Sequence, residues 1–297
     1  GPLNVSENKV DRDIVTAWVD AAVAAGYKRT LDYNCDDQEG VGYFQMTMKN
    51  GQRCSSAVAY LKPARRRKNL HIITHAHAEK LLFKAKRCVG VQVQINGISQ
   101  AVYAGSEVIL SAGAIGSPQL LMVSGIGAAD ELGAHGIQIK HDVPGVGKNM
   151  QDHLQARPIF KTTASTINLE INSIFKRLRI AMTYAASRSG PMAMAVSLGT
   201  GFLKSDPALD RPDIQFHIQP FSADSPSKGP HDFSAFTASV LQLRPESTGT
   251  LSLRSASMHD DPVIRPNYLA TQTDCDTIVR GIQIARGLCD YEPVKSL

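Results

Sequence analysis

The sequence predicts an α/β segment followed by an α+β segment, and two observations carry that expectation. From about Thr47 to Gly147, short apolar runs alternate with glycine and small-residue breaks, the pattern of strands joined by tight turns. After His153 the texture changes to an amphipathic helix, strands in which apolar and polar residues alternate, and a closing helix. Helices on one face of a mainly antiparallel sheet are the expected arrangement of that second part. With 297 residues, 43% of them hydrophobic, the chain can build one or two domains with a substantial core.

The elements follow in order. Asp11 is a candidate N-cap for a first helix whose inner face carries Ile14, Trp18, Ala22 and Ala25, and Gly26 ends it. Strands are predicted over Leu70–Thr74, Val89–Ile95 and Glu107–Ser111, with Asn96-Gly97 as a hairpin turn into Ile98–Tyr103. A helix with Ile171, Ile174, Phe175, Leu178 and Met182 on one side runs towards Gly190-Pro191. Alternating strands are expected over Asp213–Gln219, Phe236–Leu243 and Thr250–Arg254, with a polar loop from Ser222 to Asp232. The last helix spans about Thr273 to Cys289. This texture divides the chain into residues 1–46, 47–152 and 153–297.

Residues 106–127 are the most informative stretch. Val108, Ile109 and Leu110 read as a short buried strand, broken at Ala112-Gly113-Ala114, where minimal side chains let the backbone approach a neighbour closely. Ser117-Pro118 resembles an N-cap followed by proline in a first helical turn, and Leu120, Leu121 and Met122 carry the helix until Gly125. Strand, small turn and helix N-terminus form a cradle for a dinucleotide or another phosphate ligand. The same residues equally describe a βα unit that binds nothing.

Composition narrows the function classes. The net charge of +5 is modest and its densest source, Arg65-Arg66-Arg67-Lys68, is expected to be a solvated loop; no nucleic-acid partner is expected. The five cysteines (Cys35, Cys54, Cys88, Cys275, Cys289) are scattered and without a C-x-x-C pair, so they read as free structural thiols of a reducing compartment. His75 and His77 alternate on one predicted strand without a carboxylate or cysteine at ligand spacing, so no metal is expected. No apolar run approaches the ~20 residues of a membrane helix. The expected location is cytoplasmic, or membrane-peripheral in a longer parent.

The wording of several segments carries a resemblance. After 106–127 the chain reads Asp142-Val143-Pro144-Gly145-Val146-Gly147-Lys148-Asn149-Met150-Gln151-Asp152-His153-Leu154. Gly1-Pro2-Leu3-Asn4-Val5-Ser6, Gln38-Glu39-Gly40-Val41-Gly42 and Gly51-Gln52-Arg53-Cys54-Ser55-Ser56-Ala57 precede it. Pro212-Asp213-Ile214-Gln215-Phe216-His217 and Gly249-Thr250-Leu251-Ser252-Leu253-Arg254-Ser255 follow. Together these resemble the glucose-methanol-choline (GMC) family of FAD-dependent oxidoreductases, and the last two look most like its choline dehydrogenase branch.

The resemblance implies a partial FAD-binding lobe in 47–152 and a substrate-binding lobe, a mainly antiparallel sheet covered by helices, in 153–297, with 1–46 adding a strand and a helix to the substrate lobe. It implies FAD as cofactor and oxidation of a primary alcohol, choline-like or other, by hydride transfer to the flavin. Ala78 would hold adenine through its backbone, and Ala112 and Gly113 would lie near the adenosine half. His217, alternating with Phe216 on its strand, would face the substrate; its other reading is a partly exposed sheet histidine. His153 would anchor a turn between lobes. Neither the family's opening G-x-G-x-x-G turn nor its C-terminal histidine segment is recognised among the 297 residues; Gly40-Val41-Gly42 and Gly199-Thr200-Gly201 lack the third glycine. The chain is therefore expected to match the middle of such an enzyme, with no catalytic residue assigned and with self-association through exposed faces. The alternative is a truncated, non-catalytic product with no turnover of its own.

Overall fold

A computed structural model describes residues 1–225 and 227–297; Pro226, in the loop expected over residues 222–232, lies outside the described residues. The chain forms two compact units, one of Gly1–Leu70, His153–Arg244 and Gln272–Leu297, the other of His71–Asp152 and Pro245–Thr271. Both mix helices with antiparallel sheet, as expected.

The first unit is built on a six-stranded sheet. Its order is Gly40–Tyr43, Gly199–Leu203, Ile214–Gln219, Ala235–Gln242 and Ile159–Lys161, with Gln155–Ala156 also pairing the Ala235–Gln242 strand. Every pairing is antiparallel. Ile214, Phe216, Ile218, Ala238 and Val240 share one face and are fully buried in the core with Ile14, Val15 and Trp18 of the Asp13–Ala24 helix. Trp18 and Phe216 meet with ring centroids 5.6 Å apart. The Gln272–Gly287 helix packs on the same core, and Gly281 keeps it close: a Cβ there would lie 2.6 Å from Val240 Cγ2.

Two expectations about this unit are corrected. The first helix starts at Asp13, so Arg12, not Asp11, holds the cap position and makes no side-chain cap bond. Its guanidinium instead pairs with Glu170 at 2.5 Å. The Ile174–Ser187 helix forms, but its apolar stripe faces outward: Ile174 is 70% and Phe175 81% exposed.

The second unit carries a three-stranded antiparallel sheet of Ala76–Lys84, Arg87–Ile95 and Ile98–Tyr103. Asn96 (φ 51°) and Gly97 (φ 80°) make the expected tight turn, with the positive dihedrals of a type I′ hairpin. The Gly113–Val123 helix buries Leu120, Met122 and Val123 against Leu81, Leu132, Leu251 and Leu253. It begins four residues before the expected cap Ser117, whose Oγ instead accepts the Ala112 N–H at 3.0 Å.

Leu70–Thr74 and Glu107–Ser111 are not strands, because no described segment pairs with either. Residues 107–111 keep the alternation of a strand: Val108 and Leu110 pack on the core while Ile109 is 78% exposed. Thr250–Ser252 does not join the large sheet but pairs with Val263–Arg265. Met150 and Gly249 exchange two backbone hydrogen bonds (3.0 and 2.7 Å), and Leu251 N–H donates to Gly147 O at 2.7 Å. These bonds tie residues 245–271 to the second unit, whereas the sequence assigned them to the last segment. Residues 47–70 fall in the first unit, bound at their start by Asn4, whose Nδ2 donates to Met48 O at 2.6 Å.

The five cysteines are free thiols. Burial pushes the Cys289 thiol up to about 11, which leaves it protonated and unreactive at neutral pH.

Candidate active-site cleft

The sheet of the first unit has a second face, and the period of a strand fixes who stands on it. With Phe216 turned into the core, Gln215, His217 and Gln219 project the other way. Thr200 and Ser239 are the cross-strand partners of His217 on its two neighbours, so their side chains share its face.

His217 forms part of the wall of a cleft of about 750 Å³. Phe44 meets the imidazole edge-on, with centroids 5.0 Å apart. Four methionines, Met46, Met48, Met192 and Met194, line the cleft, along with Arg53 and Tyr184. Burial lowers the His217 pKa, and the nearby His153 imidazole lowers it further. The ring is therefore neutral at pH 7 and can both donate and accept a hydrogen bond. The Ser239 hydroxyl, buried beside it, has no hydrogen-bond partner among the described residues.

Part of the cleft lining comes from a small hairpin. Met48–Lys49 pairs with Gln52–Arg53, and the turn between them uses Asn50 (φ 51°) and Gly51 (φ 69°). Gly51 lies against the end of the Ile174–Ser187 helix: Tyr184 OH donates to Gly51 O at 3.1 Å, and a Cβ on Gly51 would overlap the Arg188 carbonyl oxygen. Ser6 and Met46 exchange backbone hydrogen bonds of 2.9 Å, and Phe44 N–H donates to Leu198 O at 2.8 Å. The residues that shape the cleft are thus held by main-chain bonds on both sides.

Of the remaining predicted residues, Ala78, Ala112, Gly113 and His77 lie in the second unit and His153 in the first. Ala78 sits on Ala76–Lys84, an edge strand of its sheet, opposite Val93 and next to an irregularity between Ala78 and Lys80. Ala112 and Gly113 are exposed at the start of the Gly113–Val123 helix; Gly113 has φ +78°, and a Cβ there would meet nothing within 4 Å. His153 bonds through Nε2 to Leu243 O at 3.0 Å. His77 stacks on His259 with centroids 4.5 Å apart, and its Nε2 lies 3.2 Å from Met258 O. Among the described residues no group of three His, Cys, Asp or Glu side chains is placed to hold a metal ion, and no helix is long and apolar enough to cross a membrane.

The sequence singled out His217, which lines this cleft, but not the methionines, Arg53 or Tyr184 that line it with His217. A signal was present: Met-x-Met occurs at both 46–48 and 192–194, and Asn50-Gly51 is the same hairpin dipeptide as Asn96-Gly97.

A mixed helix–sheet protein with a neutral histidine in a methionine-lined cleft is a flavoenzyme-like scaffold only by comparison, and the comparison is specific. Residues 1–155 match the N-terminal profile, and residues 245–295 the C-terminal profile, described as GMC oxidoreductase. The chain belongs to the GMC oxidoreductase family. It is 42% identical over 295 residues to mitochondrial choline dehydrogenase of Homo sapiens, covering 98% of this chain and 49% of that protein. It is 41% identical over 293 residues to the alcohol dehydrogenase (acceptor) of Pseudomonas putida, covering 98% of this chain and 53% of that protein. The chain thus spans about half the length of these relatives. Among solved structures, pyridoxine 4-oxidase from Mesorbium loti superposes with a TM-score of 0.84 at 26% identity, covering 98% of this chain and 54% of that one. Formate oxidase superposes with a TM-score of 0.90 at 24% identity, covering 100% of this chain and 57% of that one, a likeness of fold.

Proposed function

We propose that the protein oxidises a primary alcohol with FAD as hydride acceptor, and that this chain supplies the substrate cleft and part of the cofactor's adenosine site. The joint match of residues 1–155 and 245–295 to the family carries this reading. A neutral imidazole facing an apolar cleft supports it. When bound, FAD supplies the redox chemistry, taking up the hydride from the alcohol carbon.

The chain's own residues fit the adenosine half of that cofactor. Gly113 opens into free space, so a ligand can approach the exposed backbone at the helix start. Ala78, on an edge strand, offers main-chain rather than side-chain contact. We assign Ala78, Ala112 and Gly113 to that half and His217 to the substrate. There the His217 N–H donates to the alcohol oxygen and stabilises the charge it gains as the hydroxyl proton passes to a general base of the complete protein, in a site whose apolar lining weakens competition from water.

The test is anaerobic mixing of the complete, flavin-loaded protein with a primary alcohol, following the bleaching of oxidised flavin. His217→Ala should lower kcat/KM by roughly one to three powers of ten with flavin content unchanged. Ala78→Val should be nearly silent in both. Full activity in His217→Ala overturns the assignment of His217; no bleaching with any primary alcohol overturns the function.

A further inference from the structure

We propose that the cleft takes the hydrocarbon chain of an apolar primary alcohol in preference to an alcohol bearing a quaternary ammonium group. The inference rests on the alcohol-oxidising reading above and narrows it to a substrate class. It matters because the relatives include enzymes named for both choline and a general alcohol.

Three observations point the same way. The first is the methionine lining: Met46 and Met48 come from the hairpin side, Met192 and Met194 from the loop that leads to the Gly199–Leu203 strand. Thioether side chains are unbranched and polarizable, so they adapt to a flexible chain and offer it dispersion contacts without fixed polarity. The second is the charge at the cleft. Arg53 lines it, and no carboxylate pairs with Arg53 or lines the cleft among the described residues. Glu7 accepts a hydrogen bond from Gln45 (3.0 Å) and is itself outside the lining. A trimethylammonium group here meets a guanidinium and no counter-charge. The third is His217, neutral at pH 7, which bonds to a hydroxyl and provides no anion. Phe44 and Tyr184 are aromatic, but cation binding by ring faces is strong only where the cation is desolvated over the face. Phe44 is engaged edge-on with His217, and the Tyr184 ring has the Arg188 guanidinium 4.9 Å from its centroid. One of the two rings already holds a cation.

The experiment uses the chain itself and needs no turnover. The protein contains eight methionines. With methyl-13C-methionine, the cleft's four methyls report on ligand, while Met122, buried in the other unit, serves as an internal control. Choline is compared with 3,3-dimethyl-1-butanol, its carbon isostere, which has the same shape without the charge. A series from 1-butanol to 1-octanol measures the contribution of chain length.

The expected result is that the isostere shifts the resonances of Met46, Met48, Met192 and Met194 and binds at least several-fold more tightly than choline. Affinity in the series should rise up to about fourfold per added methylene, the value for complete burial of each CH₂. Arg53→Glu should tighten choline by about two- to fivefold, the range of an exposed ion pair, and change the ratio of choline to isostere affinity in choline's favour. Choline binding as tightly as the isostere in the native chain overturns the substrate-class inference and leaves the alcohol site standing. If no alcohol or choline moves any of the four resonances, the cleft is not the alcohol site, and the placement of the substrate at His217 falls with the inference.

Discussion

Gly51→Ala tests whether the cleft wall is held by the close approach of the hairpin turn to the Ile174–Ser187 helix. Two costs add at this position. Gly51 has φ +69°, where an L residue is disfavoured by roughly 1–2 kcal/mol. The new methyl would also lie 2.8 Å from Arg188 Cβ and overlap the Arg188 carbonyl oxygen, which is main chain and cannot rotate away. Overpacking of that kind costs about 1–3 kcal/mol, so a total of about 2–5 kcal/mol is expected. Gly26 and Gly287 separate the two contributions. Gly26 has φ +97° with nothing within 4 Å of a built Cβ, so Gly26→Ala carries only the backbone cost. Gly287 has φ −59° and open space, so Gly287→Ala is neutral or slightly stabilising. The assay is urea unfolding followed by fluorescence of Trp18, the chain's single tryptophan, which is fully buried in the core of the same unit. With a slope of about 2–3 kcal/mol per molar urea, Gly51→Ala should lower the midpoint by about 0.7–2.5 M, more than Gly26→Ala. Equal midpoints for Gly51→Ala and Gly26→Ala would refute the clash and the packing of turn against helix.

Three further outcomes are expected. Phe216→Ala removes a fully buried ring against Trp18 and should cost about 3–5 kcal/mol in the same unfolding assay. Because the folded state holds the His217 pKa below 6.5, the unfolded chain takes up the proton first as pH falls. Stability from this site is intact above pH 6.5 and declines below it, through the folded-state pKa, so His217→Gln should lose less midpoint between pH 7.5 and 5.5 than the native chain does. Phe175→Glu with Leu178→Glu, both on the outward stripe, should change unfolding stability by no more than about 0.5 kcal/mol per site while reducing self-association in light scattering. A large loss of stability would mean that the stripe is buried after all.

What the sequence made legible is what short-range chemistry decides. Asn96-Gly97 specifies its own hairpin, so both strands beside it were found almost to the residue. Trp18, Ile14 and Ala22 fall on one helical face, and that face is the buried one. Where a residue run needs a distant partner, local pattern says less. Val108, Ile109 and Leu110 alternate as a strand would, yet no described segment pairs with them. The Ile174–Ser187 helix shows the complementary limit: periodicity tells which side chains share a stripe and is silent on whether anything covers it.

The cleft follows the same logic. The side of the sheet taken by His217 was readable because a strand has period 2 and Phe216 is an unmistakable core residue. Its surroundings were not, since the walls come from residues 44–53, 184 and 192–197, brought together by non-local bonds such as Tyr184 OH to Gly51 O. None of those bonds has a local signature. The Met-x-Met pairs do, but a methionine in a strand-rich sequence reads as core until a main-chain turn places it at a surface. That turn is Asn50-Gly51, the same dipeptide that was decisive at 96–97. Its neighbour strands are only two residues long, too short for alternation to flag them. The feature that sets the character of the cleft was therefore written in the sequence in a form that only the packing of the turn against the helix makes readable.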